Sequence, residues 1–216
     1  MLTDNEKMMQ IYEKQAGDYY VGQINNNGLR SWLFKKRQYI IHQFVKKYHR
    51  KDMVLDIGCG NSLWNKDNIP VIGLDICEAM LKYNRNKRPG GSFIKSDVSA
   101  VLPIKNDSVN TVVITEVLEH IQPYAFLIGE IKRCLKKGGI VIASVPYDKL
   151  PGIWGIIFPV WCRYKGWRDN DPYYSNSCGH TVNFNIKKLQ QAFSGFALLE
   201  LINFNFLTIF YVARKE

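Results

Sequence analysis

A chain of 216 residues, 46% hydrophobic and 22% charged, has apolar matter for one packed core, is short for two domains, and is excluded from the intrinsically disordered class. Its formal net charge of +10, from 29 Lys and Arg against 19 Asp and Glu, would suit nucleic acid or anionic lipid heads. No Arg-rich run or nucleic-acid motif accompanies that charge, so nucleic acid is not the favoured partner. Cys59, Cys77, Cys134, Cys162 and Cys178 are odd in number and form no C-x-x-C pair, which argues against a disulfide framework and a thiolate zinc site. A reducing cytoplasm fits those thiols, and the charged start MLTDNEKMMQ has no apolar core of a signal peptide.

In chain order, residues 3–20 read as a helix, with Met8, Ile11, Tyr12, Gln15 and Tyr19 at helical spacing. After the turn residues Asn25-Asn26-Asn27-Gly28, residues 29–48 read as a second helix, carrying Trp32, Leu33, Ile40, Ile41, Phe44, Val45 and Tyr48. From residue 52 the pattern becomes short β-branched runs without alternation: 53–57, 71–74, 92–94, 110–114 and 140–145. Strands buried on both faces of a parallel sheet read this way. Residues 79–88 and 123–137 fit crossover helices, the second ended by Lys136-Lys137-Gly138-Gly139. Residues 187–193 read as a helix, and 197–202 with 208–214 as a closing strand pair. The expected fold is α/β: a Rossmann-like, doubly wound, mostly parallel seven-stranded sheet with helices on both faces.

The sharpest signal is Val54-Leu55-Asp56-Ile57-Gly58-Cys59-Gly60, a strand running into an acid and two glycines. A short helix is expected to follow. Gly58 and Gly60 let backbone approach a ligand without a Cβ in the way, and ligands bind at the carboxyl ends of such strands. Asp75 lies 19 residues after Asp56 and ends the second strand; Asp97 ends the third. An acid at Asp75 can accept hydrogen bonds from both ribose hydroxyls of a nucleoside. Each acid alone could be a helix cap or a turn residue, but three strand-end acids in succession point to a site.

Over residues 50–146 the chain resembles the class I S-adenosylmethionine (SAM)-dependent methyltransferases, with Ser62 where that family usually has a third glycine. The run before Pro70 is also short, so the first helix is expected to be clipped. The resemblance implies SAM as cofactor. It implies that Asp56, Gly58, Cys59 and Gly60 line the methionine part, with Asp75 on the ribose and Ile76 against adenine. Asp97 and Val98 would then face the adenine edge, with Thr115 and Glu116 near the methionine amino group. The aromatics Tyr12, Tyr19 and Tyr20 could close over the cofactor or simply pack. The implied organisation is a single domain over residues 1–216. Residues 1–48 cap the site, 49–146 bind SAM, 147–185 form an apolar insertion over the acceptor, and 186–216 close the sheet.

Glu116-Val117-Leu118-Glu119-His120 follows the fourth strand. Methyl transfer needs an aligned acceptor lone pair and often a base, and histidine titrates near neutral pH. His120 with Glu119 are the catalytic candidates; capping of the next helix is the plain alternative for His120. Glu116, Glu119, His120 and His180 also resemble the metal sets of small-RNA 2′-O-methyltransferases and ubiquinone-pathway O-methyltransferases, and mixed oxygen and imidazole donors suit a divalent ion. Metal-free relatives share Gly179-His180 before Phe184 and a helix, so no metal is assigned at this stage.

Gly152 to Arg168 is apolar and aromatic, then basic. Trp154, Ile157, Phe158 and Trp161 are expected to bury against an acceptor or the inside of a lid. A transient membrane-surface contact through 152–168 is the rival. The expected reaction moves a methyl group to an oxygen or nitrogen of a small, partly apolar molecule. An RNA methyltransferase and a non-catalytic SAM-binding protein are the alternatives.

Overall fold

In the computed structural model, residues 28–50, 52–147, 154–169 and 180–216 are described. The helix expected over residues 3–20 and the tyrosines in it lie outside them. The elements are α1 (Leu29–Tyr48), β1 (Val54–Ile57), β2 (Val71–Asp75), α2 (Glu78–Lys87), β3 (Ser92–Lys95) and β4 (Val109–Thr115). A 3-10 turn at Leu118–His120 precedes α3 (Tyr124–Cys134), β5 (Leu135–Pro146), α4 (Trp154–Asp169), α5 (Ile186–Ala192), β6 (Phe196–Phe204) and β7 (Thr208–Lys215).

The seven strands form one sheet in the order β3-β2-β1-β4-β5-β7-β6. β1 pairs in parallel with β2, Val54 opposite Val71, and with β4, Val54 opposite Thr111. β7 runs antiparallel to both its neighbours, β5 and β6. The chain leaves β1 in one direction for β2 and β3, then returns to its other side for β4 and β5. The reversal falls between β1 and β4, and a doubly wound sheet places ligands beyond the carboxyl ends of the strands at such a point.

All four residues of β1 are buried, as a central strand covered on both faces requires. Leu55 and Ile57 face a core shared with Leu127 and Ile131 of α3 and Leu189 of α5. Val54 points the other way, into a core with Ile41, Phe44 and Val45 of α1 and Leu81 of α2. The period of two along the strand thus feeds two helical layers.

Two expectations are corrected. No helix forms between Gly60 and β2: Gly58 to Asn68 is a series of turns. Ser62 and Asn68 take left-handed backbone, φ +46° and +51°, and the Asn65 side chain bonds both the N–H and the carbonyl of Ile69, so the run closes on itself instead of winding. The helix expected over 123–137 ends at Cys134. Leu135 is already extended and pairs with Val109. Lys136 to Gly139 therefore belongs to an irregular strand entry, with a register shift opposite and Gly138 at φ +74°. The apolar stretch after β5 yields α4, but the side chains of Trp154, Ile157 and Phe158 lie outside the described residues. No helix among the described residues is long and apolar enough to cross a membrane.

Candidate functional site

The turn after β1 is built around two carboxylates. Asp56 is buried, and its Oδ2 accepts hydrogen bonds from Ser62 Oγ at 2.8 Å and Trp64 Nε1 at 2.9 Å. Burial pushes its acid from the ordinary 3.8 up to about 7, against the pull of those two donors. These bonds draw the loop back over the end of β1. Gly58 is glycine for two reasons: its φ is +63°, and a Cβ there would lie 2.3 Å from Val117 Cγ2. Gly60, at φ +47°, has nothing within 4 Å of where a Cβ would stand, so its left-handed turn is what excludes a side chain.

Asp75, at the end of β2, accepts from the Gly60 N–H at 2.7 Å on Oδ2 and from the Cys77 N–H at 2.8 Å on Oδ1. Burial raises its acid, opposed by backbone donors at Cys77, Gly60 and Ile76. One carboxylate thus fixes the glycine loop to the start of α2. Cys59, beside it, is buried with its thiol pushed well up, mainly by burial, which makes it an inert wall.

Two residues that sequence reasoning missed complete the loop's support. Asn84 Nδ2 donates to the Gly60 carbonyl at 2.6 Å. Arg88 reaches the carbonyls of Asn61 at 3.2 Å and Ser62 at 2.9 Å, and bonds Asn84 Oδ1 at 2.7 Å. Their spacing of four on a helix facing the glycine loop was the available signal.

The remaining candidates separate. Asp97 is exposed and closes a turn on its own side, accepting from the Ser99 N–H at 2.9 Å and Oγ at 2.6 Å. Val98 is buried in the core with Leu55 and Leu74. Ile76 and Thr115 are partly buried at the ends of β2 and β4. Glu116 follows β4 with left-handed backbone, φ +56°. Its Oε1 accepts from Ser144 Oγ at 2.8 Å and its Oε2 is ion-paired with Arg37 of α1. Arg37 was not foreseen; nothing local in sequence links residue 37 to residue 116.

Glu119, His120 and His180 do meet. Glu119 is buried, and its Oε1 lies 3.9 Å from His120 Nε2. The two imidazoles stand edge to face with centroids 5.0 Å apart, and one donor atom from each of the three residues lies within 4.8 Å of the others. The Glu119 carbonyl accepts from the N–H groups of Thr181 at 2.8 Å and Val182 at 3.0 Å, which brings the 180–182 segment to the end of β4. Glu116 is not in this cluster: Arg37 and Ser144 hold its carboxylate. Of the four residues named together from sequence, Glu119, His120 and His180 meet and Glu116 stands apart.

Residues 55–143 match the methyltransferase domain family. A relative from Mycolicibacterium smegmatis named "Probable S-adenosylmethionine-dependent methyltransferase" is 31% identical over 121 residues, 54% of this chain and 46% of its own length. Trans-aconitate 2-methyltransferase of Acidovorax sp. is 29% identical over 99 residues, 43% of this chain and 38% of its own. The chain thus spans less than half the length of these relatives. Demethylmenaquinone methyltransferase of Listeria welshimeri is 25% identical over 174 residues, covering 75% of this chain and 72% of that one. Among solved structures, the N-methyltransferase NodS of Bradyrhizobium japonicum superposes with a TM-score of 0.69 at 12% identity, over 96% of this chain and 98% of that one. The [4+2]-cyclase SpnF superposes with a TM-score of 0.70 at 14% identity, over 99% and 96%.

Proposed function

We propose, from the match of residues 55–143 to the methyltransferase domain family, that the chain is a class I SAM-dependent methyltransferase that transfers the methyl group of SAM to an oxygen or nitrogen of a small, partly apolar molecule. The observation that carries the reading is the pair of carboxylates around a left-handed glycine loop at the sheet's reversal point: Asp56 holds the loop from within, and Asp75 anchors Gly60 from the next strand.

The site fits SAM by its donor set. Asp75 keeps acceptor capacity for ribose hydroxyls beyond its two backbone bonds, since each carboxylate oxygen offers two lone pairs. Gly58, Cys59 and Gly60 form the floor for the methionine part. Ile76, partly buried at the end of β2, supplies apolar surface for adenine. Glu116 and Arg37 stand as an anion and a cation side by side, complementary to the amino and carboxylate groups of an amino acid. Thr115 flanks them. SAM supplies a methyl group on an electrophilic sulfonium. His120 takes the proton that the acceptor oxygen or nitrogen loses, and Glu119 steadies the resulting imidazolium. Two relatives carry small-molecule acceptors in their names, trans-aconitate and demethylmenaquinone, which supports a small acceptor over RNA.

The test is transfer of label from methyl-labelled SAM to panels of small hydroxy, amino and quinol-like acceptors and to RNA. The expected result is label in a small molecule, with His120→Ala lowering kcat by about 10² to 10⁴ and leaving SAM affinity unchanged. Label only in RNA, or binding of SAM with no acceptor labelled, would replace this reading by one of its two rivals.

The three-residue cluster favours a second reading of the same corner. Glu119, His120 and His180 fit a divalent ion, with one carboxylate and two imidazoles as donors. Such an ion would polarise an acceptor hydroxyl. Under this reading Mn²⁺ raises the melting temperature by mass action and His180→Ala abolishes the rise. A melting curve indifferent to divalent ions leaves His120 as a plain base.

A further inference from the structure

The outward face of α4 is not accounted for by methyl transfer. At 16 residues the helix is about 24 Å long. Cys162 and Gly166, one turn apart, are buried among the residues of this helix whose side chains are described. Opposite them, Val160 is 68% exposed, Tyr164 54% and Trp167 80%, and Arg163 and Arg168 are exposed as well. At about 100° per residue these five side chains fall within one arc of roughly 140° centred away from the buried pair. They act as a group. The Tyr164 and Trp167 rings lie 6.5 Å apart, and the Arg168 guanidinium sits 5.8 Å from the Tyr164 centroid.

An indole this exposed in water leaves a large apolar surface uncovered. Trp and Tyr beside arginines have the chemistry of a bilayer interface, where amphipathic rings settle at headgroup level and guanidinium groups meet lipid phosphates. The helix is too short to span a bilayer but long enough to lie along one. Arg163 and Arg168 flank the two rings on this face, and the whole chain carries a net charge of +10, which favours approach to an anionic surface over a neutral one.

We propose that the Val160, Arg163, Tyr164, Trp167 and Arg168 face of α4 docks on an anionic lipid surface, laying the helix in the headgroup plane. Charge selects the occupant: a neutral bilayer would engage the aromatic residues but leave both arginines without phosphate partners of net negative charge, and a second copy of this basic face would repel it.

The test floats the full chain with phosphatidylcholine vesicles made with and without phosphatidylglycerol, at low and high salt. The expected result is flotation with the anionic vesicles alone, weakened by salt as screening shortens. Arg163→Glu with Arg168→Glu, and separately Trp167→Ser, should each cut partitioning by about ten-fold or more. Melting curves run alongside separate lost docking from lost folding: the expected result is lost flotation by variants that still melt cooperatively near the wild-type temperature. Absence of flotation overturns the proposal, as does equal flotation with neutral vesicles or partitioning that ignores both variants. Sedimentation equilibrium supplies the remaining arm: a concentration-dependent dimer that Trp167→Ser dissolves would make this face an interface between copies instead. A monomer at every concentration agrees with the lipid assignment.

Discussion

At Asp56 burial and hydrogen bonding pull in opposite directions, and burial wins. The acid sits at about 7 in the folded chain against an ordinary 3.8. Raised above its unfolded value, this carboxyl favours folding fully only below pH 4, and the advantage is lost as pH rises through 7. The span corresponds to at most about 4 kcal/mol. Asp56→Asn keeps an acceptor for Ser62 and Trp64 and removes the titration. Urea melts between pH 4 and 8 should therefore show wild-type stability falling across that window relative to the Asn variant; parallel curves would mean that Asp56 is ionised throughout. The placement of this acid was legible in the sequence, as was that of Asp75. Its partner Trp64 was not, because an indole eight residues away reaches the carboxylate only through a run of turns that no periodicity announces.

The loop between β1 and β2 has no helix of its own to stiffen it, so its rigidity comes from α2. Asn84 holds Gly60, and Arg88 holds Asn61 and Ser62. Arg88→Met keeps the length of the stem but removes both bonds to the loop carbonyls. It should weaken S-adenosylhomocysteine (SAH) binding by about ten-fold, the loss of one charge-assisted hydrogen bond or more, with no change in the far-ultraviolet spectrum. Unchanged affinity in calorimetry would mean that the loop is set by Asp56 and Asp75 alone. The strands were readable from apolar runs and α1 was read over the residues it occupies, whereas the short helix expected after Gly60 did not form and α4 was not foreseen as a helix. Element ends were less readable: glycines and lysines at 136–139 look like a helix terminus, and only the pairing of Leu135 with Val109 shows that the strand has already begun. The meeting of His120 with His180 is of the same kind, since it depends on the Glu119 carbonyl capturing the 181–182 backbone.

On the scale of the whole molecule, one sheet brings these pieces to a common edge. β1 and β4 are neighbours with opposite onward directions, so the glycine loop, Glu116 and the Glu119–His120–His180 corner all lie beyond their carboxyl ends. That much follows from the doubly wound order. The reaction does not: the same fold serves a methyltransferase and a [4+2]-cyclase among its solved neighbours, so function here rests on the site and not on the architecture. The central claim is that this edge holds SAM on Asp75 and the glycine loop. Titration calorimetry of the full chain with SAH tests it most directly. The expected result is a one-to-one complex that Asp75→Ala weakens by about 1.5–3 kcal/mol; absence of binding by the wild-type chain at millimolar SAH, or equal binding by the variant, would contradict it.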